Sequence, residues 1–447
     1  MINTFCNFIY KLNNLLWGDF TVILILAIGL YLTLRYRFIQ FRNPLKILCS
    51  TLFLEKRENN SAKKGITNIQ ALSTALGASM GTGNIVGVAA AISIGGSGSV
   101  FWMILSSFIV MSLAFTENVL GIIYKNKFKE KSNETGAILY IDKGLNCKSI
   151  AVIYAVFCLA ASFGIGNISQ ANSAAESLSE IGVAPAAVGI ILCAATAFSV
   201  FKGGRFIASI SEKIIPIISV LYIICAFICI IIYGNNISDI LIDMINSAFG
   251  FRQVTGGCTG AIINISLTTG LRRGLFSNEA GMGSSVFAHT STDCTDPCTM
   301  GLWAMVEVFI DTALLCTLTA LVILCTGADK SGLEGAAMII EAFRRCFGNY
   351  GAYIAAIANT VFAAASISGW YYYGEKCAVF LSEKQTFINS YRILYSCAVF
   401  AGAVFSSTIL WAISDILNAF VMFPNLAAIL ILSGEVIPYA KEFNRSH

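Results

Sequence analysis

The sequence predicts an all-α integral membrane protein of about eleven transmembrane helices. One N-terminal helix precedes a five-plus-five inverted repeat whose first and sixth core helices are discontinuous. Three observations lead there. Hydrophobic residues make up 56% of the 447 positions and charged residues 12%, about half the charge of a soluble domain, so lipid must solvate much of the chain. Apolar runs long enough to cross a hydrocarbon core of about 30 Å recur along its whole length. Two of these runs are interrupted by glycine-rich strings, one around Gly81 and one around Gly281.

The expected spans lie near 17–35, 69–94, 98–124, 150–178, 184–201, 213–233, 254–285, 301–326, 350–380, 391–407 and 409–434. The run at 254–285 is the least regular, because it holds Arg272, Arg273 and Glu279. With the N-terminus outside, loops alternate so that 24 Lys and Arg residues fall inside and 5 outside. That asymmetry predicts a plasma-membrane protein with its N-terminus out and its C-terminus cytoplasmic. No cleavable signal peptide is expected, since no small-residue cleavage site follows the first apolar run, Val22 to Leu34.

The helices divide into an N-terminal helix and basic loop (1–64), a core (65–435) and a cytoplasmic tail (436–447). Ten helices remain after the first, and five is odd, so two groups of five (65–235 and 250–435) must have opposite topology. The formal charge of +4 is too small to suggest a nucleic-acid partner. The 15 cysteines are scattered through apolar runs and read as small apolar residues, with Cys258, Cys294 and Cys298 in or near loops. Oligomeric state is not legible.

Chemistry concentrates in a few segments. Ala75 to Ile85 falls in the middle of the second span, and its Gly77, Gly81 and Gly83 each cost a helix about 1 kcal/mol relative to alanine. Unwound backbone there must face protein or a polar cavity. It offers carbonyls to a cation and amides to an anion such as a carboxylate. Close helix packing is the bland alternative, and Thr82 and Asn84 at mid-membrane favour the functional one. In Phe163 to Asn172, the amides of Asn167, Gln170 and Asn172 either glue helices together or line a ligand site, the second being favoured. Gly270 to Ser284 is the counterpart of the Gly81 segment in the second group. Its Arg272 and Arg273 are read at the inner interface, whereas Asn278 and Glu279 are harder to place innocently.

Ala363 to Glu375 supplies Ser366, Ser368 and Trp370. The serines bond their own helix or complete a sodium shell, and the tryptophan caps a pocket or anchors at an interface. Glu117, Glu307 and Asp311 are carboxylates in apolar helices. Glu307 and Asp311 share a face, as ion or proton sites or as partners of Arg272 and Arg273. His289 and His447 are the only histidines, so no metal cluster can be assembled. There is no phosphate-binding loop and no nucleophile–base motif. An enzyme is not expected, and transport would draw on an ion gradient. A channel would need a continuous polar stripe, whereas the polar residues cluster at the centre.

Five strings carry a resemblance: Gly81-Thr-Gly-Asn-Ile-Val-Gly-Val88; Gly95-Gly96 with Phe101-Trp-Met103; Gly166-Asn with Gln170-Ala-Asn172; Arg273-Gly-Leu-Phe-Ser-Asn-Glu-Ala-Gly281; and Gly369-Trp-Tyr-Tyr-Tyr-Gly-Glu375. With them the chain resembles the alanine or glycine:cation symporter family from about residue 15 to 435. The resemblance implies the leucine-transporter fold and sodium-coupled symport of alanine or glycine. It places the substrate carboxylate at the backbone of Thr82 and Gly83 beside Asn84, and the amine near Ala78 and Ser79. Phe163, Gln170, Asn172 and Trp370 complete the pocket. Sodium falls to the carbonyls of Gly77 and Met80 with the Ser366 hydroxyl. Two departures stand out. The family commonly has Ser-Thr where this chain has Ala365-Ser366, which opens the ion site to a proton in place of sodium. Some members carry an acidic residue where this chain has Ala78.

Overall fold

The computed structural model describes residues 2–42, 44, 47, 51, 67–128, 135–250, 259–405 and 408–445. Most of the basic stretch 43–64, Arg252, Cys258, the start of the 254–285 run and His447 lie outside the described residues. Among them, every element longer than a turn is helical.

The first expected span begins earlier than its hydropathy suggested. Helix α1 (Ile2–Leu16) turns at Trp17 and Gly18 into α2 (Asp19–Arg35). Helix α3 (Asn68–Ser79) starts at a capping box: the Thr67 hydroxyl accepts from Gln70 N while Gln70 Oε1 accepts from Thr67 N. It is followed by a 3₁₀ turn (Thr82–Asn84) and α4 (Val86–Gly95). Then come α5 (Ser97–Phe128), α6 (Ala137–Leu145), α7 (Lys148–Ser179), α8 (Pro185–Lys202), α9 (Gly204–Tyr233), α10 (Ile237–Ala248) and α11 (Thr259–Asn278). The chain ends with α12 (Pro297–Thr326), α13 (Gly335–Phe347), α14 (Asn349–Leu381), α15 (Gln385–Val404) and α16 (Thr408–Arg445). α12 is capped by the Asp296 carboxylate, which accepts from the amides of Cys298 and Thr299, with Pro297 at the first helical position.

Nine helical stretches among the described residues are long and apolar enough to cross a membrane. Sequence reading expected eleven. The two not counted are the glycine-interrupted ones: 69–94 is split into α3 and α4, and the run ending at 285 stops at Asn278. Neither half of a broken helix reaches about 20 apolar residues. Two further irregularities sit inside continuous helices, a π-turn at Gly164–Ile168 in α7 and one at Phe309–Cys316 in α12.

The outer surface is apolar where a soluble protein's would be charged. On α9, Ile217, Leu221, Ile224, Phe227 and Ile231 point outward, with Ile231 77% exposed. On α8, Ile190, Ile191 and Phe198 do the same. Leaving each in water would forfeit about 1.5–3 kcal/mol of burial, and a belt this wide marks lipid contact. The chain is a multi-pass membrane protein. Its polar residues lie inside, where α5, α7, α12, α14 and α16 surround the two breaks.

Candidate functional site

At the first break, Met80 leaves the helix with ψ at 55°. The Gly81 amide then turns to Ser79 O at 2.7 Å, and the Thr82 amide donates to Gln170 Oε1 at 2.9 Å. In a continuous helix these two N–H groups would serve the carbonyls of Gly77 and Ala78. Both carbonyls are thereby released. Ala78 O is taken by the Ser366 hydroxyl at 2.7 Å, which leaves the lone pairs of that hydroxyl available. Gln170 is itself held by a bond from Nε2 to Ile165 O, 2.9 Å, in the π-turn of α7. Gly81 is required here, because a Cβ would lie 2.5 Å from Gln170 Oε1.

The second break packs directly on the first. A Cβ at Gly83 would sit 3.2 Å from Ser277 Cα, at the end of α11. Between them lies Asp311, from the π-turn of α12, fully buried. Asn84 Nδ2 donates to Asp311 Oδ1 (2.8 Å) and to its carbonyl (2.7 Å). The hydroxyls of Ser277 and Thr312 donate to Oδ2 at 2.7 and 2.8 Å. Asn84 Oδ1 and Thr82 Oγ1 are buried without a hydrogen-bond partner, so two further oxygens stand uncommitted at the first break.

Beyond Asn278 the chain is held in left-handed conformations at Glu279 (φ 55°), Gly281 (φ 91°) and Gly283 (φ 71°). Glu117 on α5 secures this stretch: its Oε1 accepts from the Gly283 amide (3.1 Å) and from Asn425 Nδ2 (2.6 Å). Asn425 also donates to Gly281 O at 2.9 Å, and Tyr154 donates to Met282 O at 2.9 Å.

The structure gathers most of the predicted residues. Gly77, Ala78, Ser79, Met80, Thr82, Gly83 and Asn84 are buried around the first break, with Gln170 and Asn172 from α7 and Ser366 and Trp370 from α14. Ser79 donates back to Leu76 O at 3.4 Å. Phe163 is half-buried and packs on the Tyr391 and Tyr395 rings, at 5.5 and 5.6 Å. Asn167 bridges helices through its Nδ2, which donates to Tyr395 O at 2.8 Å, while its Oδ1 is buried without a hydrogen-bond partner. For Asp311 the sequence leaves an ion or proton site and an arginine partner both open, and for Glu279 and Glu117 it assigns no role. Their only signal was a carboxylate in an apolar run.

Two charge readings are corrected. Arg272 pairs with Asp415, not with Glu307 or Asp311, and Glu307 meets His289 at 2.9 Å instead. Arg273 lies over the Trp411 and Phe276 rings, at 5.7 and 6.0 Å. The inner-interface placement of both arginines does not fit the residues beside them. They line a cavity of about 550 Å³ with Asn13, Glu180 and Glu334, which fall in segments expected outside, and with Glu176 and Asp415 from α7 and α16. The hydropathy of 254–285 hid this, because it could not show that α11 ends at Asn278. Among the described residues no group of His, Cys, Asp and Glu is arranged to hold a metal, so a cation here would rest on hydroxyls, carbonyls and the single carboxylate of Asp311.

Comparison with known proteins gives the family. The model of the sodium:alanine symporter family matches residues 2–447. The chain is 34% identical over 449 residues to the sodium/alanine symporter AgcS of Methanococcus maripaludis, covering 98% of this chain and 97% of that one. It is 34% identical over 436 residues to the probable sodium/glutamine symporter GlnT of Bacillus subtilis, covering 97% and 89%. It is also 34% identical over 433 residues to the amino-acid carrier protein AlsT of the same organism, covering 96% and 90%. The chain belongs to the sodium:alanine symporter family: it is a membrane transport protein and not an enzyme.

Proposed function

We propose that this member of the sodium:alanine symporter family carries a small neutral amino acid, alanine or glycine in the first instance, into the cell together with Na⁺. The observation that carries the reading is the meeting of the two breaks, with released carbonyls on one side and the buried Asp311 carboxylate on the other. Two half-helices that meet in the membrane place ion and solute at one midplane point, about which the two groups of helices can rock in alternating access. In this reading the chain has the leucine-transporter fold, with eleven passes counted as nine continuous helices and two broken ones.

The roles follow from the chemistry of each group. The amides of Thr82 and Gly83 bind the substrate carboxylate. The Thr82 amide is kept by Gln170 Oε1, which a carboxylate oxygen would replace. The amine lies toward Ala78 and Ser79, whose carbonyls are its acceptors in the absence of an acidic side chain. Asn84, Phe163, Asn172 and Trp370 form the remaining walls. Na⁺ is held by the carbonyls of Gly77 and Met80 and the Ser366 hydroxyl. Asp311, with the oxygens of Asn84 and Thr82 near it, supplies the negative charge that a second cation, Na⁺ or H⁺, would balance. The relatives named for alanine and for glutamine support a neutral amino acid as the substrate class. We place the N-terminus outside. Moving Arg272 and Arg273 to the outer set still leaves 22 basic residues inside against 7 outside.

Uptake of labelled alanine into proteoliposomes, with Na⁺, Li⁺ or choline outside, tests the reading. Saturable uptake driven by inward Na⁺ is expected. Uptake linear in alanine and indifferent to the gradient would sink it, and uptake driven by an acid-outside pH step without Na⁺ would make the carrier proton-coupled. Within the Na⁺ reading, Ser366→Ala is expected to raise the Na⁺ concentration for half-maximal uptake roughly three- to tenfold, the effect of one lost oxygen ligand of about 1 kcal/mol. An unchanged Na⁺ titration curve would remove Ser366 from the ion site.

A further inference from the structure

Glu279 has no part in the transport roles assigned so far, yet the chain goes to some length to place it. It is one of four non-glycine residues with positive φ among the described residues, and it is buried. A left-handed glutamate survives only where its surroundings over-determine it. Its carboxylate is committed on both oxygens: Trp370 Nε1 donates to Oε1 at 2.6 Å and the Ser284 hydroxyl donates to Oε2 at 2.6 Å.

Trp370 is equally constrained from its other sides. A Cβ at Gly166 would come within 2.1 Å of Trp370 Cβ and 2.2 Å of Cγ, so the π-turn of α7 is shaped to receive this side chain. One residue earlier, a Cβ at Gly369 would lie 2.6 Å from Ala78 Cβ, so α14 packs closely on the first break at that point. Tyr373 packs edge-on against the indole with ring centres 5.7 Å apart. The indole is therefore held between Gly166 and Tyr373. Its one polar atom is anchored to the second break.

We propose that Glu279 is a positioning residue for substrate size: by accepting the indole N–H it fixes how far Trp370 reaches into the solute pocket, and so limits the pocket to small side chains. This rests on the proposed carriage of an amino acid. An unanchored indole can rotate about its side-chain torsions, and the space it yields admits a longer side chain. Discrimination by a few carbon atoms in an apolar pocket is worth about ten- to two-hundredfold.

The test is a substrate panel in proteoliposomes, with alanine and glutamine each titrated against Glu279→Ala, Glu279→Gln, Ser284→Ala and Trp370→Phe. Glu279→Ala is expected to shift the alanine-to-glutamine ratio of Vmax/KM by about tenfold or more toward glutamine. Trp370→Phe, which has no N–H to anchor, should shift it the same way, and the double variant should shift it no further than the larger single effect. Glu279→Gln keeps an acceptor oxygen for the indole and should hold the wild-type ratio. Ser284→Ala is the milder probe should Glu279→Ala fail to reach the membrane, and it should move the ratio in the same direction. An equal loss for both amino acids in Glu279→Ala, or a Glu279→Gln variant as altered as Glu279→Ala, would overturn the proposal. If the wild-type protein takes up no amino acid, it is the functional reading that fails; if it does and no variant changes the ratio, only the role of Glu279 fails.

Discussion

Asp311→Asn is expected to abolish the stimulation of alanine uptake by the coupling cation while leaving the protein folded. The substitution keeps the shape and most of the hydrogen bonds. One amide oxygen still accepts, and the Ser277 and Thr312 hydroxyls can rotate to accept from the amide nitrogen, since a hydroxyl serves as donor or acceptor. What it removes is a negative charge, buried and without a basic partner in any ion pair found among the described residues. A carboxylate in that position is tolerable only if it is neutralised by a proton or balanced by a cation. Losing it should lower apparent cation affinity on the order of tenfold to a hundredfold, as for a lost partner in a metal site. The measurement is uptake against Na⁺ concentration at saturating alanine, repeated across outside pH. A flattened Na⁺ curve assigns Asp311 to Na⁺. A lost pH response with intact Na⁺ activation assigns it to H⁺. An Asp311→Asn protein with both responses unchanged would leave the carboxylate a structural bridge between the breaks.

That these residues meet was only partly legible in the sequence. The first break was plain, because glycines at 77, 81 and 83 each weaken a helix by about 1 kcal/mol in the middle of an apolar run. Hydropathy could not show that Asn84, Ser277 and Asp311 come together, since they lie on three segments and contact depends on where each helix is interrupted. The π-turns at 164–168 and 309–316 are the missing information. One extra residue per turn rotates everything beyond it, bringing Gln170 over Gly81 and Asp311 toward Ser277. A glycine pair at 164 and 166 hinted at the first; nothing comparable marks the second. Asn167 shows the same limit. Spacing puts it within one turn of Gln170, yet the local geometry sends it to the α15 backbone. Charge counting put Arg272 and Arg273 on the side opposite to Glu180 and Glu334, with which they line one cavity, because the helix that carries them ends at Asn278, inside a run counted as one full pass.

Glu117→Ala is expected to cost the protein about 2–5 kcal/mol and to destroy transport, whereas Glu117→Gln should be mild. Glu117 is fully buried on α5, far along the chain from the segments it holds. Two donors, Gly283 N and Asn425 Nδ2, converge on the same oxygen, Oε1. Truncation to alanine strands two buried donors, each costing about 1–3 kcal/mol, and opens a cavity beneath the second break. Gly281 and Gly283 depend on that anchor, since left-handed backbone without side chains has no packing of its own to fix it. Glutamine places a carbonyl oxygen where Oε1 stands and satisfies both donors, with its amide nitrogen turned to the other side. Thermal unfolding in detergent should separate the two variants, with Glu117→Ala falling by roughly 2–5 °C and Glu117→Gln by much less. Asn425→Ala should resemble Glu117→Ala, because Asn425 also carries the bonds to Gly281 O and from the Tyr140 hydroxyl. The double variant should then be less destabilised than the sum of the two. A Glu117→Gln protein as unstable as Glu117→Ala would show that the negative charge, and not the acceptor geometry, holds the second break in place.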